Sequence, residues 1–144
     1  MVSTHFAMIG GGWRAQFYLR IARALPERFI IDGMVVRDPE KWQAIERAWG
    51  VPTYRTLDDL LRACQPPFVV TCVSWEANPG LVREVAERSL PVLSETPPAP
   101  DVARMTQLWT LVRDGARIQV AEQYMYQPFH AARLAFAASG KLGT

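Results

Sequence analysis

Three consecutive glycines, Gly10-Gly11-Gly12, separate a short apolar run from a helix-spaced stretch, and no other feature restricts the fold of this chain as much. His5 to Ile9 reads as a buried strand that stops at Gly10. From Arg14 to about Leu25, the positions Phe17, Tyr18, Ile21, Ala22 and Leu25 recur at the spacing of one helix face, and Pro26 stands where that helix should stop.

The alternation continues along the chain. Phe29 to Val36 reads as a second strand, broken by Asp38-Pro39, and Trp42, Ile45, Ala48 and Trp49 mark a helical face closed by Gly50. Tyr54 to Thr56 reads as short and extended. Thr56, with Asp59 three residues on, resembles a capping box opening a helix over Leu57 to Cys64. Phe68 to Val73 is apolar on both faces, which suits a central parallel strand covered by helices on both sides. A helix from about Pro79 to Leu90, a strand from Pro91 to Ser94, a helix from Asp101 to Arg113 and a strand from Arg117 to Ala121 follow, and beyond Pro128 an alanine-rich helix spans Phe129 to Ser139. Such alternation implies parallel strands joined by right-handed crossovers. The expected fold class is α/β: a doubly wound, mostly parallel sheet of the Rossmann, dinucleotide-binding type. Ligands in such sheets bind beyond the carboxyl ends of the strands, at the switch point of strand order.

The first turn has the chemistry for that. Gly10-Gly11-Gly12-Trp13-Arg14-Ala15 fits the dinucleotide fingerprint, with Gly10 and Gly12 in the first two glycine places and Ala15 in the third. Gly10 permits the tight turn, Gly12 presents no side chain to a pyrophosphate, and Ala15 allows close helix packing. A helix starting near Trp13 directs its free N–H groups and positive dipole end at the phosphates. Spacing alone places the ribose-binding acid near Asp32, yet the strand runs on to Val36, which leaves Arg37 at its end. A guanidinium there suits a 2′-phosphate, so NADP is preferred over NAD, the other reading of Arg37 being a solvated loop charge.

Composition narrows the class further. The 144 residues are 49% apolar and 21% charged, the make-up of one soluble globular domain. A formal charge of +2 argues for neither nucleic acid nor an anionic membrane as a partner. The sequence has no apolar stretch near 18 residues and no leader pattern, so a cytoplasmic protein is expected. Cys64 and Cys72 read as free thiols, and His5 and His130 lie at opposite ends, so no metal site is expected.

Several segments in order resemble the N-terminal domain of the glucose–fructose oxidoreductase / inositol dehydrogenase / rhizopine catabolism (Gfo/Idh/MocA) family. They are the glycine loop with Phe17-Tyr18-Leu19; Arg37-Asp38-Pro39-Glu40-Lys41; Trp49-Gly50-Val51-Pro52 with Thr56-Leu57-Asp58-Asp59-Leu60-Leu61; Val73-Ser74-Trp75-Glu76-Ala77-Asn78; Ser94-Glu95-Thr96-Pro97; Ala121-Glu122-Gln123-Tyr124-Met125-Tyr126-Gln127-Pro128; and Ser139-Gly140-Lys141-Leu142-Gly143. The resemblance implies hydride transfer between NAD(P) and a sugar, inositol or related alcohol or carbonyl, completed by a second, substrate-binding domain that also supports oligomers. It divides the chain into a Rossmann domain over 1–127 and, over 128–144, a linking helix that begins a second domain.

The resemblance also nominates contacts beyond Gly10, Gly12, Trp13, Arg14 and Arg37. In the loop after the fourth strand these are Ser74, Trp75 and Asn78. Trp75 stacks on the nicotinamide side or caps the sheet edge, and Asn78 stands where the family has a His. Glu95 orients the ribose or nicotinamide end, or bonds local backbone. Thr96 replaces the family's Lys and cannot supply its charge or its proton relay. Gln123 reaches the carboxamide or merely ends a strand. The catalytic residues are not identifiable in this segment. The leading function is therefore the nucleotide-binding domain of an NAD(P)-dependent oxidoreductase, with the small-molecule substrate bound only together with the second domain. A dinucleotide-binding module without redox chemistry is the alternative, and a scaffold with a relic loop a third.

Overall fold

The computed structural model describes residues 2–141, so the Leu142-Gly143 part of the expected terminal turn lies outside the described residues. The elements are β1 (Thr4–Ile9), α1 (Trp13–Ala24), β2 (Phe29–Val35), α2 (Pro39–Trp49), β3 (Thr53–Tyr54), α3 (Leu57–Ala63), β4 (Val69–Thr71), α4 (Asn78–Ala86), β5 (Val92–Ser94), α5 (Val102–Arg113), β6 (Ile118–Val120), a 3-10 turn (Tyr124–Tyr126) and α6 (Pro128–Ala138). All neighbouring strands pair in parallel, in the order β3-β2-β1-β4-β5-β6. The order reverses between β1 and β4, where the doubly wound fold opens its crevice.

Side-chain alternation divides the core into two layers. Phe6, Met8, Val70 and Cys72 face Ala15 and Leu19 of α1 and Ile45 of α2. Ala7, Ile9, Val69 and Val92 face Leu57 and Leu60 of α3, Val82 and Val85 of α4 and Leu108 of α5. The expected central strand is shorter than its apolar run, Val69–Thr71, but all three of its residues are buried.

The β2 strand breaks simple alternation. Ile31 and Met34, three apart, lie in the same layer. The register explains this: Phe6 pairs with Ile31 but Ala7 pairs with Gly33, so Asp32 is an extra residue in a bulge. The bulge turns Asp32 toward His5, whose Nδ1 lies 2.7 Å from its carboxylate. Spacing had made Asp32 the candidate ribose acid; it sits inside the strand instead of at its carboxyl end.

Helix ends follow the local chemistry. Asp38, Thr56 and Asp101 cap α2, α3 and α5 with their side chains. Only half of the expected capping box forms: Thr56 Oγ1 accepts from the Asp59 N–H, while the Asp59 carboxylate takes the Thr56 hydroxyl instead of its backbone N–H. Gly50 ends α2 in the left-handed region, φ 67°. Among the described residues, no helix is long and apolar enough to cross a membrane.

Candidate functional site

The carboxyl ends of the strands bring the glycine loop, Arg37, the 72–78 loop, the 95–100 loop and the 121–123 segment to one edge of the sheet. The three glycines there have different reasons for being glycine. Gly10 has φ +112°, and a methyl added to it would lie 2.2 Å from the Cys72 carbonyl oxygen, so β4 and the turn touch backbone to backbone. At Gly11 the added carbon would press on Ile45 and Val36 at 3.1 Å. Gly12 is extended, with φ −80° and ψ −172°, a conformation open to any residue, and a methyl there would meet nothing within 4 Å.

Gly12 therefore leaves open space in front of α1. No side chain caps that helix and no acid stands in its first turn, so its leading N–H groups have no side-chain partner. Open donors, the positive end of the helix dipole and space for a group larger than a methyl are what a pyrophosphate requires. The residues present fit a dinucleotide on this observation.

At the end of β2, Val36 is buried and its carbonyl takes the Arg55 guanidinium, which also lies 4.2 Å over the Trp42 ring. Arg37 is exposed and forms no ion pair among the described residues. Its neighbour Asp38 is engaged with its own helix: the Lys41 backbone N–H, with the Lys41 ammonium and Glu40 N–H, holds that carboxyl below the ordinary carboxylate range. The cation next to it is left facing outward.

Arg14 and Glu95, read separately from the sequence, meet each other. Arg14 Nε lies 3.0 Å from Glu95 Oε2. The N–H does not point at that oxygen, so this is an ion pair without an aligned hydrogen bond. The other carboxylate oxygen accepts from the Tyr18 hydroxyl at 2.6 Å. Burial, then the bond to Glu95, pushes the Tyr18 phenol well above its ordinary range, and burial does the same to the Cys72 thiol beside them. Tyr18 was legible in the sequence only as a helix-face aromatic, since its partner stands 77 residues away.

Asn78 is turned inward. It is 2% exposed, and its amide donates to Ser94 Oγ at 2.7 Å and to the Pro98 carbonyl at 2.9 Å, so it ties α4 to β5 and the following loop. Thr96 is half-buried, and its peptide to Pro97 is cis. Trp13 and Trp75 are exposed, as are Ser74 and Gln123. Trp13 rests edge-on against Phe17, with the Arg14 guanidinium 4.7 Å from its ring. A surface groove of about 730 Å³ runs along α5 and β6 at the far edge of the sheet, and Pro98, Ala99 and Pro100 of the 95–100 loop form one of its walls.

Residues 4–122 match a family model, GFO_IDH_MocA, described as an oxidoreductase family with an NAD-binding Rossmann fold. No curated protein sequence matches the chain. Among solved structures it is similar to the WlbA dehydrogenase of Bordetella pertussis in complex with NADH and UDP-GlcNAcA, with TM-score 0.85 and 21% identity over 98% of this chain and 44% of that one. It is similar to myo-inositol 2-dehydrogenase of Lactobacillus plantarum, with TM-score 0.82 and 14% identity over 99% and 43% of the two chains. It is also similar to a 3-ketoreductase of Actinomadura kijaniata in complex with NADP and TDP-benzene, with TM-score 0.79 and 16% identity over 96% and 43%. At these identities the likeness is one of fold. The chain spans less than half the length of each of these proteins.

Proposed function

We propose that this chain, which belongs to the Gfo/Idh/MocA oxidoreductase family with its NAD-binding Rossmann fold, is the cofactor-holding half of an NADP-preferring dehydrogenase or reductase acting on a sugar, polyol or related carbonyl compound. The observation that carries this reading is the open position at Gly12 in front of an uncapped α1. The bound dinucleotide would supply the hydride-accepting or hydride-donating ring; this chain's residues bind and orient it. The loop of Gly10 and Gly12 and the first turn at Trp13 and Arg14 hold the pyrophosphate end. The outward guanidinium of Arg37 pairs with the 2′-phosphate, which favours NADP over NAD.

Ser74, Trp75, Thr96 and Gln123 rim the opposite part of the same edge and face the nicotinamide half. We take 1–127 as the dinucleotide domain and 128–144 as the lead into a second domain that brings the substrate and can support a homo-oligomer. The exposed Phe129, Leu134 and Phe136 of α6, with no buried residue in that helix, support this division. Hydride transfer needs a substrate held against the nicotinamide, and one half-site cannot do that, so these 144 residues alone turn over no sugar or polyol.

A second reading, a dinucleotide-binding module without redox chemistry, is favoured by Thr96 in the place of the family lysine and by the inward Asn78. Parallel calorimetric titrations with NADPH and NADH test the cofactor reading. Tighter NADPH binding supports it, equal affinities remove the Arg37 assignment, and no binding of either removes the site. Hydride transfer by the protein with its second domain then separates enzyme from binding module.

A further inference from the structure

The Arg14–Glu95–Tyr18 cluster joins three elements that the proposed site needs in register. Glu95 follows β5, and its own N–H donates to the Thr71 carbonyl at the end of β4, 3.1 Å away. Its side chain is largely buried and receives Tyr18 from the second turn of α1 and Arg14 from the first. Arg14 is in turn fixed from outside, 4.7 Å from the Trp13 ring and 5.6 Å from that of Phe17.

We infer that this cluster is a clamp: Glu95 and Tyr18 are positioning residues that hold the phosphate-facing end of α1 against the switch point of the sheet, and neither contacts the cofactor directly. The inference rests on the dinucleotide reading of the site. Two physical points support it. A carboxylate near the donor end of a helix opposes an incoming phosphate unless it is neutralised, and Arg14 supplies the neutralising charge at 3.0 Å. Anion binding by backbone N–H groups also depends on the helix end being held within fractions of an ångström, which packing alone provides poorly for a first turn without a cap.

The test uses Tyr18→Phe and Glu95→Gln, both close in shape to the original, with NADPH and 2′-phospho-ADP-ribose as probes, the second lacking the nicotinamide. The clamp predicts that Tyr18→Phe weakens both probes by the same factor, about tenfold for loss of one charge-assisted bond, and that Glu95→Gln, which also leaves the Arg14 charge unpaired near the phosphates, weakens both by one smaller factor. It also predicts faster amide exchange at Phe17 and Tyr18, whose N–H groups bond the carbonyls of the first turn of α1, with exchange in β1 and β2 unchanged, a local effect that general destabilisation would not give. Weakening of NADPH with 2′-phospho-ADP-ribose unaffected would overturn the inference, because Glu95 would then touch the nicotinamide half. Unchanged affinities for both probes would overturn it as well. If the unmodified chain binds neither probe, the dinucleotide reading fails, and unchanged exchange at Phe17 and Tyr18 of the variants would separately remove the clamp.

Discussion

Gly10 and Cys72 are in backbone contact: a single methyl on Gly10 would stand 2.2 Å from the Cys72 carbonyl oxygen, while the same methyl on Gly12, two residues along, would meet nothing. The two glycines of one motif therefore serve different ends. Gly10 is required by the protein's own packing and by its φ of +112°. Gly12 is required by no such contact among the described residues. Gly10→Ala should cost about 2–4 kcal/mol from the backbone clash and the left-handed conformation together. Gly12→Ala should cost below about 1 kcal/mol, the difference between the two residues at a helix N-cap. Urea denaturation of the two variants measures both values, and similar losses would contradict the distinction.

Arg37 is the specificity prediction. Arg37→Ala should weaken NADPH about 10- to 100-fold, the value of a charged, forked contact, and leave NADH within about twofold. Parallel titrations of the variant and the parent chain decide it. Equal weakening of both nucleotides would place Arg37 on the shared pyrophosphate instead.

Asn78 predicts a stability effect. Asn78→Ala leaves the Ser94 hydroxyl and the Pro98 carbonyl without their buried donor. The expected cost is about 2–3 kcal/mol, and Asn78→Asp should cost at least as much, because a carboxylate cannot donate to either acceptor. Chemical denaturation measures this. A loss below about 0.5 kcal/mol would show that the amide is not holding the 95–100 loop.

Acid should loosen the helix starts first. The Asp38, Asp59 and Asp101 carboxyls are all held below the ordinary 3.8, led by the Lys41 backbone N–H, the Thr56 hydroxyl and the Arg104 backbone N–H respectively. A lowered folded-state value means stability fully present above the unfolded value and lost as pH falls through the folded one. The loss therefore lies below about pH 4 and not between pH 5 and 7. Asp101→Asn, which can still cap, should reduce that acid slope and leave stability at pH 7 nearly unchanged; thermal midpoints from pH 7 to pH 2.5 check it.

Much of this was legible in the sequence because it is local. The β1 strand, the glycine turn and α1 announce themselves through periodicity and residue type, and Gly50 and Thr56 end and start their helices as their chemistry dictates. What the sequence could not show is non-local. The bulge at Asp32, which turns that carboxylate toward His5, depends on how β2 registers against β1. Arg14 and Glu95 were each readable as cofactor contacts, and only the fold reveals that they pair with one another across 81 positions of sequence, with Tyr18 completing the group. Asn78 was readable as a polar loop residue, and its burial depends on where β5 and Pro98 come to lie.

The central claim, that the space in front of Gly12 is a phosphate cradle, is tested most directly by calorimetric titration of NADPH into the chain and into its Gly12→Val variant, after circular dichroism shows both folded. The account predicts binding by the parent chain and a loss of at least about 100-fold in the variant, since the added side chain occupies the cradle, where its Cβ meets nothing within 4 Å. Equal affinity in the two proteins would contradict it.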